Sequence, residues 1–299
     1  CTLLRPLLYV GLYFLRVMKG DFMGIIDFRM RPLYGGYLSM AEAGTTDKFL
    51  TGLRCQITPS IRECSIELLV KEMDETGIEK AVIPGRQSSG TFVDNQELCD
   101  LAKQWPGRFI PFPLYDPLRP KESLEEVRRI LMDGPGGGVT IEPGFGNTLR
   151  FDDPGYFPLY RWLEDNGIPL MLTFSGSITP TIDCTLPGRL DLVAQTHPNL
   201  KIVVGHAGWP WSKELICMGF FRRNIYLAPD LYSMASVPGS EDYRLAAAGM
   251  LQDRFLFGSS YPLVPLGEAV DNVRAWKLDP ACEQRVLHDT AAELLSWKF

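Results

Sequence analysis

From Gly24 onward, short runs of apolar residues alternate with longer segments whose apolar positions recur at helical spacing. That alternation predicts parallel strands separated by helices. Eight runs read as strands: GIIDF at 24 to 28, KAVIP at 80 to 84, RFIPF at 108 to 112, GVTIE at 138 to 142, PLMLTF at 169 to 174, KIVVGH at 201 to 206, NIYLAP at 224 to 229 and RFLFGSS at 254 to 260. Eight strand-helix units in order predict an α/β fold, a single closed (β/α)₈ TIM barrel. Two of the helices carry their own punctuation. In SIELLVKEMDETG, Ser65 can cap the start and Gly77 can end it; in DNQELCDLAKQW, Asp94 is the cap. A doubly wound open sheet would carry a glycine-rich phosphate loop after an early strand, and GxGxxG is absent. PGGG at 135 to 138 reads as a flexible turn before a strand.

The chain has 299 residues, and a barrel of about 250 nearly exhausts it. The expected organisation is an apolar N-terminal extension over 1–23 and a barrel domain over 24–299. The run from Leu7 to Val17 is broken by Arg16 and falls short of the roughly 20 residues of a membrane span. An amphipathic helix packed on the barrel or on a second copy of the chain accounts for the same residues, so a homodimer is compatible with the sequence. The long connection from Tyr34 to Ser65 reads as an active-site loop or a small insertion, because barrel chemistry is built on the loops that follow strands.

Charge removes several classes of function. With 30 Lys and Arg against 36 Asp and Glu the net charge is −6, which gives no reason to bind nucleic acid or an anionic membrane. Any anion recognition must therefore be local. The seven cysteines include no CxxC pair and their number is odd, which predicts reduced thiols in a cytoplasmic protein, without a disulfide framework or a structural zinc.

Several stretches, taken in order, resemble the amidohydrolase-related family of metal-dependent decarboxylases, hydratases and lactonases. They are IIDFRMRP, LLVKEMDETGIEKAVIP, LAKQWPGRFIPFPLYDP, DDPGYFPLYRWLEDNGIPLML, HPNLKIVVGHAGWPW, LFGSSYP and VLHDTAAELL. In that family the first strand ends in His-x-His, the fifth and sixth strands each supply a histidine, and the eighth ends in an aspartate. Here Arg29 and Arg31 stand in the places of the first two histidines, Thr173 in that of the fifth-strand residue and Ser260 in that of the aspartate. Only His206, in VVGHAGW, keeps its family residue. A guanidinium is cationic and does not ligate a metal cation, so the resemblance, with these replacements, implies that the divalent metal is absent and that no other cofactor is needed.

Alternation along the first strand predicts that Asp27, Arg29 and Arg31 all face the barrel interior. Two guanidinium groups would bind a carboxylate and stabilise a developing oxyanion, with His206 moving the proton near its ordinary pKa of about 6.5. Glu142, Asp230, Thr173, Tyr261 and Arg86 are the further candidates for substrate contact, and Ser260 completes the catalytic set. The bland reading pairs each arginine with Asp27, Glu142 or Asp230 as a buried ion pair, and makes His206 a satisfied core histidine. His197 and His288 read as structural. Three functions stay open: a metal-independent hydrolase or lactonase of a small carboxylated molecule, a decarboxylase of an aromatic or unsaturated acid, and an inactive barrel that binds a metabolite or partner.

Overall fold

The computed structural model describes residues 24–298 apart from 89, 146–148, 177, 178 and 180, so the expectations for the 1–23 segment lie outside the described residues. Among the described residues nine strands are formed: β1 (Ile25–Asp27), β2 (Ile78–Pro84), β3 (Arg86–Ser88), β4 (Thr91–Val93), β5 (Phe109–Phe112), β6 (Val139–Ile141), β7 (Leu170–Thr173), β8 (Ile202–Gly205) and β9 (Ile225–Ala228). Strands β1, β2 and β5 pair in parallel, as do β6 to β9 in sequence order. A bridge between Leu114 and Thr140 joins the two sheets on one side. On the other, Leu227 bridges to Phe255, and the Phe28 amide donates to the Phe257 carbonyl at 2.8 Å. The sheet therefore closes on itself as a barrel.

Seven of the eight predicted strands appear within a residue or two of their expected ends. The eighth, at 254 to 260, contributes a single bridge and irregular backbone bonds, because its chain must turn sharply at Gly258–Tyr261 to deliver side chains to the mouth. One apolar cluster takes Ile26, Val82, Ile110, Phe112, Met171, Val203, Ala228 and Leu256 from around the ring, and only an enclosed lumen can collect residues from so many staves. The last helix, Thr290–Leu295, seals the lower end with Leu294 and Leu295, and the Trp297 Nε1–H donates to the Gly137 carbonyl at 2.8 Å. Each such side chain, fully buried, contributes about 1.5–3 kcal/mol.

The local signals hold where they were specific. Helix Ile66–Thr76 starts where Ser65 Oγ accepts the Leu68 amide and ends at Gly77 with φ of 80°. Helix Asn95–Gln104 begins with a reciprocal cap between Asp94 and Glu97. The glycines of PGGG, by contrast, are packed: a Cβ on Gly137 would sit 2.4 Å from Ile110 and one on Gly138 2.4 Å from Phe112. They are small so that the lumen can fill, and the expectation of a flexible turn is corrected. The 34–65 connection folds into short helices that bury Tyr37, Met40, Leu50 and Ile61 in the same core cluster as strands and helices of the barrel.

Candidate active site

Strand β1 ends at Asp27, and the chain bends at Phe28, so strict alternation stops governing where the next side chains point. Ile26 and Phe28 enter the lumen cluster. Asp27 spends Oδ1 on the backbone, accepting the amides of Arg29 at 2.9 Å and Ser259 at 3.0 Å. This ties the first strand end to the last. Burial pushes its carboxyl up to about 6.

Above that tie, Arg29 and Arg31 are 0% and 1% exposed, and both reach the same imidazole nitrogen. Their Nη2 atoms lie 3.4 Å and 3.5 Å from His206 Nε2. The other ring nitrogen, Nδ1, lies 2.9 Å from Asp230 Oδ1, and the His206 amide donates to Oδ2. A carboxylate at Nδ1 fixes the proton there, leaving the Nε2 lone pair directed at the two cations. Burial pushes the imidazole down to about 4, the arginines add to that shift, and Asp230 opposes it. His206 is therefore neutral near pH 7. Its expected pKa of about 6.5 is corrected by burial.

The two arginines differ in what else they touch. Arg29 sits against Asp230, Nε to Oδ2 at 3.2 Å, donates from Nη2 to Thr173 Oγ1 at 2.9 Å, and has Nη1 3.6 Å from the Met171 sulfur. Gly205 makes room for it, since a Cβ there would lie 2.8 Å from Arg29 Nη1. Arg31 donates from Nη1 to Ser260 Oγ at 3.0 Å and to the Ser260 carbonyl at 3.3 Å. Among the described residues no carboxylate forms an ion pair with Arg31, and its Nε has no hydrogen-bond partner. Burial, followed by the neighbouring Arg29 and Arg86 charges, lowers the Arg31 guanidinium to about 9, still charged near neutrality.

Backbone geometry singles out the same place. His206, Asp230 and Ser260 have φ of 63°, 45° and 58°. Residues with a Cβ are held in this left-handed region at a cost of about 1–3 kcal/mol each, and such positions cluster at functional sites.

The other candidates divide. Glu142 accepts the Gln87 amide at 2.8 Å and lies 3.8 Å from Arg86 Nη1, so hairpin β3–β4, which sequence patterning missed, brings Arg86 to the mouth already facing a carboxylate. Tyr261 does not reach the site: its hydroxyl donates to Ser60 Oγ at 3.0 Å and pins the Pro59–Glu63 helix, while its carbonyl accepts the Arg31 amide. Its expected substrate contact is corrected accordingly. Tyr37 went unforeseen because nothing in the periodicity of 34–65 marks it; its buried hydroxyl donates to the Pro84 carbonyl at 2.5 Å, and its electrostatic partners are Arg31 and Arg86. Tyr232 packs edge-on against His206 at 5.2 Å and stacks on Trp209 at 4.8 Å, forming an aromatic wall. His197 and His288 pair locally with Glu164 and Asp289.

The donors present do not fit a divalent cation. Two guanidiniums point at the only imidazole, the one adjacent carboxylate already holds Arg29 and His206, and among the described residues no group of three or more His, Cys, Asp or Glu could ligate a metal.

A family model described as amidohydrolase matches residues 62–297. The chain belongs to the amidohydrolase family. Among solved structures, an uncharacterised TIM-barrel protein from Bordetella bronchiseptica shares 36% identity and a TM-score of 0.85, covering 91% of this chain and 98% of its own. Two more distant amidohydrolase-like structures share the fold. One is 5-carboxyvanillate decarboxylase from Novosphingobium aromaticivorans, complexed with manganese and 4-hydroxy-3-methoxy-5-nitrobenzoic acid, at 16% identity, a TM-score of 0.65, and coverage of 91% and 96%. The other is 4-oxalomesaconate hydratase from Rhodopseudomonas palustris, at 17% identity, a TM-score of 0.64 and the same coverage. No curated protein matches the chain. These two structures carry the names of a decarboxylase and a hydratase, and no described helix of this chain is long and apolar enough to cross a membrane.

Proposed function

We propose that this amidohydrolase-family barrel is a metal-independent enzyme acting on a small carboxylated molecule, a lactone or an unsaturated or keto acid, by hydrolysis or a related proton transfer. The observation that carries the reading is the convergence of both guanidinium groups on the free lone pair of a carboxylate-oriented imidazole. Two guanidinium cations supply positive potential without lowering the pKa of a bound water, so the proton needs its own acceptor. His206 Nε2 is that acceptor. An anionic substrate offsets part of the Arg29 and Arg31 charge, which removes one of the forces holding His206 at about 4 and raises its basicity when substrate is bound.

In the hydrolytic form, water gives a proton to Nε2 while its oxygen bonds to the carbonyl carbon. The charge on the carbonyl oxygen develops against the guanidiniums, and Asp230 steadies the imidazolium. Collapse breaks the bond to the leaving oxygen, which takes the proton back from Nε2, so acid and alcohol are the only products. Decarboxylation is the second reading, favoured by what 5-carboxyvanillate decarboxylase acts on. It ranks lower because guanidinium pairing stabilises the carboxylate that must be lost.

The test is turnover of a panel of carboxylated lactones and unsaturated acids, followed by mass spectrometry, on protein analysed for metals and treated with chelator. Expected are hydration or hydrolysis products that persist after chelation and vanish in His206→Asn. A transition metal at stoichiometric occupancy with chelator-sensitive activity would overturn the reading, and binding without turnover across the panel would make the chain a sensor.

A further inference from the structure

The two guanidiniums are unequal, and the inequality names the ligand more narrowly. Arg29 has its charge matched by Asp230 and its remaining nitrogens placed on Thr173 and Met171. Its Nε lacks an aligned hydrogen bond, as Arg31 Nε does, but it faces a carboxylate oxygen at 3.2 Å. Arg86 faces Glu142 at 3.8 Å and donates from Nε to Ser88 Oγ at 2.8 Å. Asp27, the remaining acid, is committed to two backbone amides. Of these three arginines, Arg31 is the one that forms no ion pair with a carboxylate among the described residues; Asp230, which pairs with Arg29, acts on it only at longer range.

Its donors are also divided in a directional way. Nη1 is anchored on Ser260, which fixes the plane of the group, whereas Nε is unpartnered and Nη2 meets only His206 Nε2 at 3.5 Å, longer than a normal hydrogen bond to nitrogen. Nε and Nη2 form one edge of the guanidinium, the side-on fork whose two parallel N–H bonds match the two oxygens of a carboxylate. A fully buried cation with an unused fork is costly to hold unless something fills it.

The geometry points to a single carboxylate, bound side-on to the Nε/Nη2 edge of Arg31, as the anchor of a monoanionic ligand, with Arg29 a positioning residue. This rests on the reading of the site as a carboxylate-substrate site and narrows it. A second carboxylate on the ligand would meet Asp230 or Glu142 and find no unmatched cation.

Calorimetric titration of the purified full chain with acetate, benzoate, malonate, isophthalate and benzamide separates the possibilities. A monocarboxylate is expected to bind at least about tenfold tighter than the matching dicarboxylate or the neutral amide, a gap of about 1.4 kcal/mol. Arg31→Gln is expected to weaken that binding at least tenfold. Arg31→Lys, which keeps the charge and loses the fork, should weaken it nearly as much and serves if the first variant does not fold. Dicarboxylates binding tightest, or binding unaffected by both Arg31 changes, overturns the inference and leaves the carboxylate reading standing. If no carboxylate binds the unaltered protein, both fall.

Discussion

Arg29 and Arg31 leave the same strand end two residues apart, are equally hidden from solvent and touch the same nitrogen of His206. Arg29 nevertheless closes on Asp230, while Arg31 closes on a serine hydroxyl and a carbonyl. The difference shows that burial does not decide whether a charge is structural. On the proposal above the counter-charge decides it: Arg29, paired with Asp230, is a tie between strand ends, and Arg31, without an ion pair, is a binding group held at the expense of stability.

The largest effect that can break this contrast belongs to Arg29. In Arg29→Met the Asp230 carboxylate stays buried without its cation, and urea unfolding is expected to lose about 3–5 kcal/mol. A loss under about 1 kcal/mol would put Arg29 in the same class as Arg31.

Next comes the carboxylate below them. The folded pKa of Asp27 is raised from 3.8 to about 6, so its proton is held more tightly in the native state, and the stability it confers is full below about 3.8 and lost as pH rises through 6. His206 runs the other way: its folded pKa is lowered from 6.5 to about 4, so stability is lost as pH falls through that interval. Between about pH 4 and 6 the two slopes oppose each other. Asp27→Asn removes one of them. Its stability relative to the unaltered protein should improve by on the order of 2–3 kcal/mol from pH 4 to 6 and stay level above. A difference that does not change with pH contradicts the assignment.

Gly205→Ala places a methyl 2.8 Å from Arg29 Nη1 and 2.7 Å from the Leu172 carbonyl, and should cost about 1–3 kcal/mol in denaturant unfolding. The smallest effect is Ser260→Ala, which leaves Arg31 Nη1 only the backbone carbonyl of residue 260. A stability loss of about 0.5–1.5 kcal/mol and a few-fold weaker carboxylate binding are expected, and unchanged binding would show that Ser260 does not orient the fork.

Much of this was legible in the chain. The strands of the ring are continuous apolar runs because a closed parallel sheet is covered on both faces, and that signal located seven of them. The family resemblance also drew attention to Arg29 and Arg31, and the structure brings both to His206. What the sequence left open was the pairing. Arg29 could have chosen Asp27, Glu142 or Asp230, and the choice depends on the left-handed turn at Asp230, which no residue type announces. Tyr261 looked like a site residue because it follows Ser260, yet the turn sends its ring to Ser60. Hairpin β3–β4 was missed because three-residue strands are too short to show a period. The pKa of His206 was misjudged because burial, absent from a sequence, dominates it.

The most direct test is the thermal unfolding of Arg31→Met in ligand-free protein near pH 7. Removing an unmatched buried cation should leave the melting temperature unchanged or raise it by about 2–4 °C, while a monocarboxylate no longer stabilises the variant. A fall as large as that of Arg29→Met would mean that Arg31 is a structural tie, and the account of the site would be wrong.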